Sequence, residues 1–237
     1  MLDRTLRDPP LAVVTGVSSR VAFELARQCA GNGFDLFVAA EDATVQDLGA
    51  RLRVHGTAVQ TAQADPAEPG GVQRLLQLLG CRPVHVLVAH AGHGLDQVLA
   101  GTRPARRPAG PDPFVKAYLK GTVELIQAVA RLMHAGGGRV LLLGPTRLES
   151  AGSLQALCRG TRQFIGGFAD HLREEVADSG LTVTCGMPPG APPMEPPAAA
   201  WASVAFRAMM HGDPGVSFSA RHSSGMPAAI PEGPARA

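Results

Sequence analysis

Short apolar runs alternate with amphipathic segments over most of the chain. Leu11–Thr15 (LAVVT) is a β-rich run ending in Gly16, and beyond Ser18-Ser19 the spacing turns helical, with Val21, Leu25 and Cys29 on one side. Strand-like runs recur at Asp35–Ala39, Ala58–Ala64, His85–Ala89, Arg139–Leu143 and Leu181–Cys185. Between and after them, Val72–Leu79, Phe114–His134, Ser153–Ala177 and Ala198–His211 carry helical periodicity. Strands apolar at nearly every position must be covered on both faces, so the βαβα rhythm predicts an α/β fold, a doubly wound parallel sheet in a single domain. Its ligand crevice should lie beyond the C-terminal ends of the strands. We place this domain at 10–221, after an N-terminal extension of residues 1–9. Two stretches break the rhythm, Gly92–Pro113 and Pro188–Pro197, and their Gly and Pro content predicts irregular surface segments. Residues 222–237 hold too few apolar groups to pack and are expected to be a disordered tail.

Composition narrows the partners. With 22 Lys and Arg against 20 Asp and Glu, the net charge of +2 gives no electrostatic case for nucleic acid or a membrane surface. No apolar run approaches the roughly 18 residues of a membrane span. The opening MLDRTLRDPP has acids and prolines where a signal peptide needs an apolar stretch, so a cytoplasmic protein is expected. Cys29, Cys81, Cys158 and Cys185 show no metal-ligand spacing; three lie in apolar stretches and read as reduced thiols.

Three landmarks then fall in order: Thr15-Gly16-Val17-Ser18-Ser19 after the first strand, Ala89-His90-Ala91-Gly92 after a later one, and Pro189-Gly190 after the last. Together with Asp65, the segment KGTVELIQAVARLM and FADHLREEVADSGLTVTC, they resemble the short-chain dehydrogenase/reductase family over residues 10 to 211. The resemblance implies a Rossmann-like fold and a dinucleotide site framed by Gly16, Ser18, Ser19, Arg20, Glu41, Asp65 and Gly92. The family's first turn usually reads T-G-x-x-x-G-x-G, and here Arg20 and Ala22 stand at the second and third glycines. Arg20 either obstructs the phosphate path or pairs with a phosphate. Glu41 and Asp42 would repel a 2′-phosphate and favour NAD over NADP.

The catalytic signature departs further. Counting back from Phe168 sets Arg162 at the family's Lys and Cys158 at its Tyr; Pro145 falls at the Ser and Tyr118 at the helical Asn. Hydride chemistry needs a phenolic proton donor lowered in pKa by a neighbouring ammonium, and a hydroxyl to polarise the carbonyl. Neither group stands at its position. Cys158 one turn from Arg162 reads as a buried thiol or as a nucleophile; Tyr118 is a candidate for a rearranged donor, Thr146 for the missing serine hydroxyl, and His90 and His93 for a base or a ligand contact. The expected function is a catalytically impaired member acting as a structural or regulatory subunit, holding no cofactor or NAD(H) weakly. The alternatives are an NAD(P)-dependent oxidoreductase with a rearranged site and a dinucleotide sensor that binds without reacting. The two long helices, through faces including Leu125, Ile126, Val129, Leu132, Phe164 and Phe168, are expected to build a homo-oligomer or a hetero-oligomer with an active relative.

Overall fold

The structure, a computed structural model, describes residues 9–90, 112–133, 137–145, 153–189 and 197–217. In chain order the elements are β1 (Leu11–Thr15), α1 (Arg20–Gly31), β2 (Asp35–Ala40), α2 (Thr44–Leu52), a 3₁₀ turn (Arg53–His55), β3 (Val59–Gln63), α3 (Gly71–Leu79), β4 (Val84–His90), α4 (Asp112–Ala130), β5 (Arg139–Leu143), α5 (Ser153–Glu175), β6 (Thr182–Met187), α6 (Ala198–His211) and β7 (Gly215–Ser217). The strands form one sheet in the order β3-β2-β1-β4-β5-β6-β7, and every neighbouring pair is parallel. The doubly wound α/β expectation holds.

Alternation along the strands builds two cores. Ala12, Val14, Leu36, Val38, Val86, Val88, Leu141 and Leu143 point to one face, where α1 and α6 cover them and Trp201 is fully buried. Leu11, Val13, Phe37, Leu87, Val140 and Leu142 point to the other, under α3, α4 and α5. Burial on both faces is why these strands lack polar alternation.

Three sequence expectations need correction. The first concerns α4. Leu125, Ile126 and Val129 sit in the second core at 2%, 1% and 0% exposure, so they face their own sheet and offer nothing to a partner chain. The helix ends at Ala130, short of the expected His134, because the Val84 amide draws the Leu132 carbonyl into a 2.8 Å hydrogen bond and Met133 bridges to Val84. At its start, Asp112 and Pro113 belong to the helix instead of the irregular segment, a place where proline's missing N–H costs nothing. The second is α2, which periodicity left unassigned. Asp42 opens it, its Oδ1 accepting from the Thr44 amide at 3.0 Å and from the Thr44 hydroxyl. The third is β7, three residues long, paired to β6 from Cys185↔Gly215 to Met187↔Ser217. The expected tail at 222–237 lies outside the described residues.

Candidate functional site

Because all strands are parallel, their C-terminal ends share one edge of the sheet, and the predicted site residues collect there. The chain runs from β1 outward to β2 and β3, then returns to lay β4 on the other side of β1. In parallel sheets of this kind the ligand crevice lies at that reversal. Along the edge stand Asp65 beyond β3, Glu41 beyond β2, Gly16–Arg20 beyond β1, His90 at the end of β4, Pro145 beyond β5 and Pro188 beyond β6. Thr15 ties the reversal together, its Oγ1 accepting from the His90 amide at 3.2 Å.

The β1–α1 turn is tight. Gly16 has φ of 69°, a left-handed conformation that glycine adopts without steric cost, and its carbonyl accepts from the Ser19 amide at 2.9 Å. The Val17 amide donates to the Ala39 carbonyl at 3.2 Å, anchoring the turn to β2. Ser19 is the N-cap of α1 but makes no side-chain cap, and no acidic residue sits in the first turn. Ser18 Oγ is buried without a hydrogen-bond partner among the described residues. Arg20 is exposed at the first position of the helix, while Ala22 is fully buried against the sheet. A positive-φ glycine, an orphaned hydroxyl and an uncapped helix start fit an anionic group at this end of the crevice.

On the adenosine side both acids, Glu41 and Asp42, stand at this edge, and Asp42 also starts α2 through its Oδ1. The Glu41 carbonyl accepts from Gln63 Nε2 at 3.4 Å. Asp65 Oδ1 accepts from the Ala67 amide at 2.9 Å, shaping the turn after β3. That turn is pressed between two helices: a Cβ on Gly71 would stand 1.8 Å from the Asp65 carbonyl oxygen, and one on Gly121 2.1 Å from that of Pro66. Neither position tolerates a side chain without movement of the backbone.

The other end of the crevice is built of groups bonded to one another. Cys158 is 1% exposed on the inner face of α5. Arg162, one turn on, donates from Nη1 to the Pro145 carbonyl and to the Pro188 carbonyl, each at 3.0 Å. Sequence reasoning named Arg162 and Pro145 separately and missed Pro188 and Gly144, the residues that complete this knot. His90 is buried on its side of the sheet edge. Tyr118 falls within α4. Gly92, His93 and Thr146 lie outside the described residues. This end does not fit a nicotinamide and its ribose in the way the turn end fits a phosphate, because Pro145 supplies no hydroxyl and the guanidinium is held by main-chain carbonyls.

The thiols are four free cysteines, with Cys81 exposed and the others buried. Burial pushes the Cys29 thiol up from 9.0 to about 12. Cys185 is raised to about 11, chiefly by burial, with Arg173 pulling it down, Asp170 pushing it up and Arg162 pulling it down. These protonated thiols are packing groups. Among the described residues no cluster of His, Cys, Asp or Glu is placed to hold a metal, and no helix is long and apolar enough to cross a membrane.

A family model described as short chain dehydrogenase matches residues 10–194. Solved structures of similar fold include a bulky-bulky ketone specific alcohol dehydrogenase from Comamonas testosteroni, 20% identical with a TM-score of 0.69, covering 88% of this chain and 86% of that one. A short-chain dehydrogenase from Sphingobium yanoikuyae in complex with NADPH is 19% identical with a TM-score of 0.66, covering 87% of this chain and 86% of that one. An acetoin dehydrogenase from Salmonella typhimurium is 20% identical with a TM-score of 0.65, covering 85% and 90%. No curated protein sequence matches the chain.

Proposed function

From the premise that the chain belongs to the short-chain dehydrogenase family, we propose that it is a catalytically impaired member, retained as a structural or regulatory subunit. The observation that carries this reading is the pair of hydrogen bonds from Arg162 to Pro145 and Pro188. At the family's Lys position the cation is engaged by two carbonyls, and at its Ser position a proline offers only one of those carbonyls. The position of the acid holds Cys158, 1% exposed. Proton transfer to a substrate oxygen needs a donor within hydrogen-bond reach and matched in pKa, and a phenol beside an ammonium is absent from this arrangement.

The turn end supports weak residual binding of NAD(H). Gly16, Ser18 and Ser19 would meet the pyrophosphate, Arg20 crowds or pairs with it, and Glu41 disfavours a 2′-phosphate. When bound, the dinucleotide would supply hydride chemistry; the residues of this chain would only hold and orient it. The orphaned Ser18 hydroxyl favours one second reading, a dinucleotide sensor that binds without reacting. As to partners, the outer face of α5 supports assembly into a homo-oligomer or a hetero-oligomer with an active relative: Phe164 is 37% exposed and stacks on Phe168. A Cβ on Gly160 or Gly167 would meet nothing within 4 Å, so another chain can approach this face closely.

Purified protein incubated with NAD(H) or NADP(H) and a panel of alcohols, ketones and hydroxyacyl thioesters should leave the nicotinamide absorbance flat. Steady turnover abolished by Tyr118→Phe would overturn the reading and make Tyr118 the donor. Thermal shifts with the four nucleotides separate the sensor from the purely structural subunit, since specific binding stabilises the native state by mass action.

A further inference from the structure

β5 and β6 run side by side as far as Leu143 and Gly186, and their pairing closes with the Gly144 amide donating to the Gly186 carbonyl at 3.0 Å. Neither strand can carry the ladder further. Pro145 follows on one and Pro188 on the other, and a proline has no N–H to give its neighbour. Their carbonyls still require donors, since buried main-chain acceptors are rarely left unmade. Nη1 of Arg162 supplies both, reaching from α5 across 17 residues of sequence to one carbonyl and 26 to the other. One cation thus caps both carbonyls, and charge-assisted bonds of this kind are stronger than neutral ladder bonds. The arginine stem passes over Gly144: a Cβ there would stand 3.7 Å from Arg162 Cγ, an ordinary contact, and 2.6 Å from Met187 Sδ.

We propose that Arg162 is a positioning residue, a tie that holds the ends of β5 and β6 together at Pro145 and Pro188 and keeps this side of the crevice shut to a nicotinamide ring. The proposal rests on the reading of the crevice as a degenerate dinucleotide site. It differs from loss of a catalytic group alone. An idle position would tolerate any side chain, whereas a tie loosens the rim when it is cut.

The test compares wild type with Arg162→Met, which keeps the aliphatic stem over Gly144 and removes both donors, and with Arg162→Lys, which keeps a cation. Amide hydrogen exchange is read at Gly144, with Val13 and Leu87 in the distant sheet as internal references, and NADH-induced thermal shifts are measured on the same proteins. In Arg162→Met, exchange at Gly144 should rise about tenfold or more, a change of about 1.4 kcal/mol in local opening, with Val13 and Leu87 unmoved. Its NADH shift should exceed that of wild type, and Arg162→Lys should fall between the two. Unchanged exchange at Gly144 overturns the tie; faster exchange without a larger NADH shift overturns the closed crevice. If Arg162→Met does not fold, Arg162→Lys carries the test alone: several-fold faster exchange at Gly144 with a larger NADH shift supports the proposal, and wild-type behaviour in either measurement overturns it. Turnover by the wild-type chain would defeat the impaired-enzyme reading whatever happens at Gly144. Unchanged Gly144 exchange with flat nicotinamide absorbance would defeat the tie alone.

Discussion

Arginine substitutions at Leu125 and Phe164 are expected to separate folding from assembly. Leu125 is 2% exposed within the core beneath α4, where burying a leucine is worth about 1.5–3 kcal/mol. An arginine there also brings an unpaired charge into an apolar site, adding several kcal/mol or expelling the helix. The sum is a large share of the roughly 5–15 kcal/mol that hold a domain together. Leu125→Arg should therefore yield little folded protein. Phe164 lies on the outer face of α5, its ring stacked on Phe168 with centroids 6.0 Å apart and planes 4° from parallel. Removing that contact costs the folded chain about 0.5–1.5 kcal/mol.

Association should respond in the opposite sense. If two copies lay their α5 helices antiparallel about the middle of the helix, Phe164 of each meets the open surface at Gly167 of the other, and exposed Arg159 approaches the acidic last turns carrying Asp170 and Glu174. A charge placed at the centre of that contact repels its own symmetry mate, so Phe164→Arg should shift any oligomer toward monomer while lowering the urea midpoint only modestly, through the lost stack. Light scattering and sedimentation across micromolar concentrations, paired with urea unfolding, read both quantities. A stable wild-type monomer removes the homomeric form; recovery of the native complex from its host then decides the heteromeric one. A Phe164→Arg variant that stays oligomeric, or loses as much stability as Leu125→Arg, would refute the assignment of this face.

Three further outcomes follow from the same geometry. Arg20→Gly should strengthen NADH binding more than Ala22→Gly, because Arg20 stands exposed at the phosphate end whereas Ala22 is a buried contact whose loss adds about 1 kcal/mol of helix cost. Isothermal calorimetry decides it, and tight wild-type binding weakened by Arg20→Ala would make Arg20 a phosphate ligand. Stability should fall above pH 9, since the folded chain keeps protons on Cys185 to about 11 and on Cys29 to about 12 while the unfolded thiols ionise from 9.0. Each such thiol contributes a loss of about 1.4 kcal/mol per pH unit within its window, and Cys185→Ala should flatten the slope; a denaturant midpoint constant from about pH 8 to about pH 11 contradicts this. Gly121→Ala should destabilise by more than about 1 kcal/mol, although alanine is the better helix former, because its Cβ would collide with the Pro66 carbonyl; an unchanged melting temperature would show that the turn yields freely.

The sheet was legible because parallel strands buried on both faces leave unbroken apolar runs, and Arg139–Leu143 is recovered to the residue. Leu11–Thr15 matches as closely, while β2, β3, β4 and β6 differ by one or two positions at one end or both, β6 running on from Cys185 to Met187. Helix α2 escaped notice because it has nine residues and a glycine in the middle. Gly49 is there for a tertiary reason, since a Cβ would come within 2.3 Å of Thr61 Cγ2. The partner-facing surface expected of α4 included Leu132, because the periodicity carries the helix through Leu132 and Met133 to His134. In the fold they have left the helix to meet Val84, so only the partly buried Val123 remains outside the stripe formed by Leu125, Ile126 and Val129.

The crevice divides along the same line between local and tertiary information. Gly16, Ser18 and Ser19 are legible since a tight turn between a strand and a helix requires small residues in sequence, whatever lies elsewhere. Arg162 is not, because its role depends on two prolines brought beside each other by strand pairing. Each proline alone reads as a loop former. Only once β5 and β6 are known to be neighbours do the Pro145 and Pro188 carbonyls come side by side, within reach of one donor from outside the sheet. A sequence read by family position records Pro145 and Arg162 as two separate losses, whereas the fold joins them: the guanidinium donates to the carbonyl of that proline and to that of Pro188. A lysine at position 162 would therefore hold the Pro145 and Pro188 carbonyls less well than the guanidinium does, and it would not return a hydroxyl to the crevice.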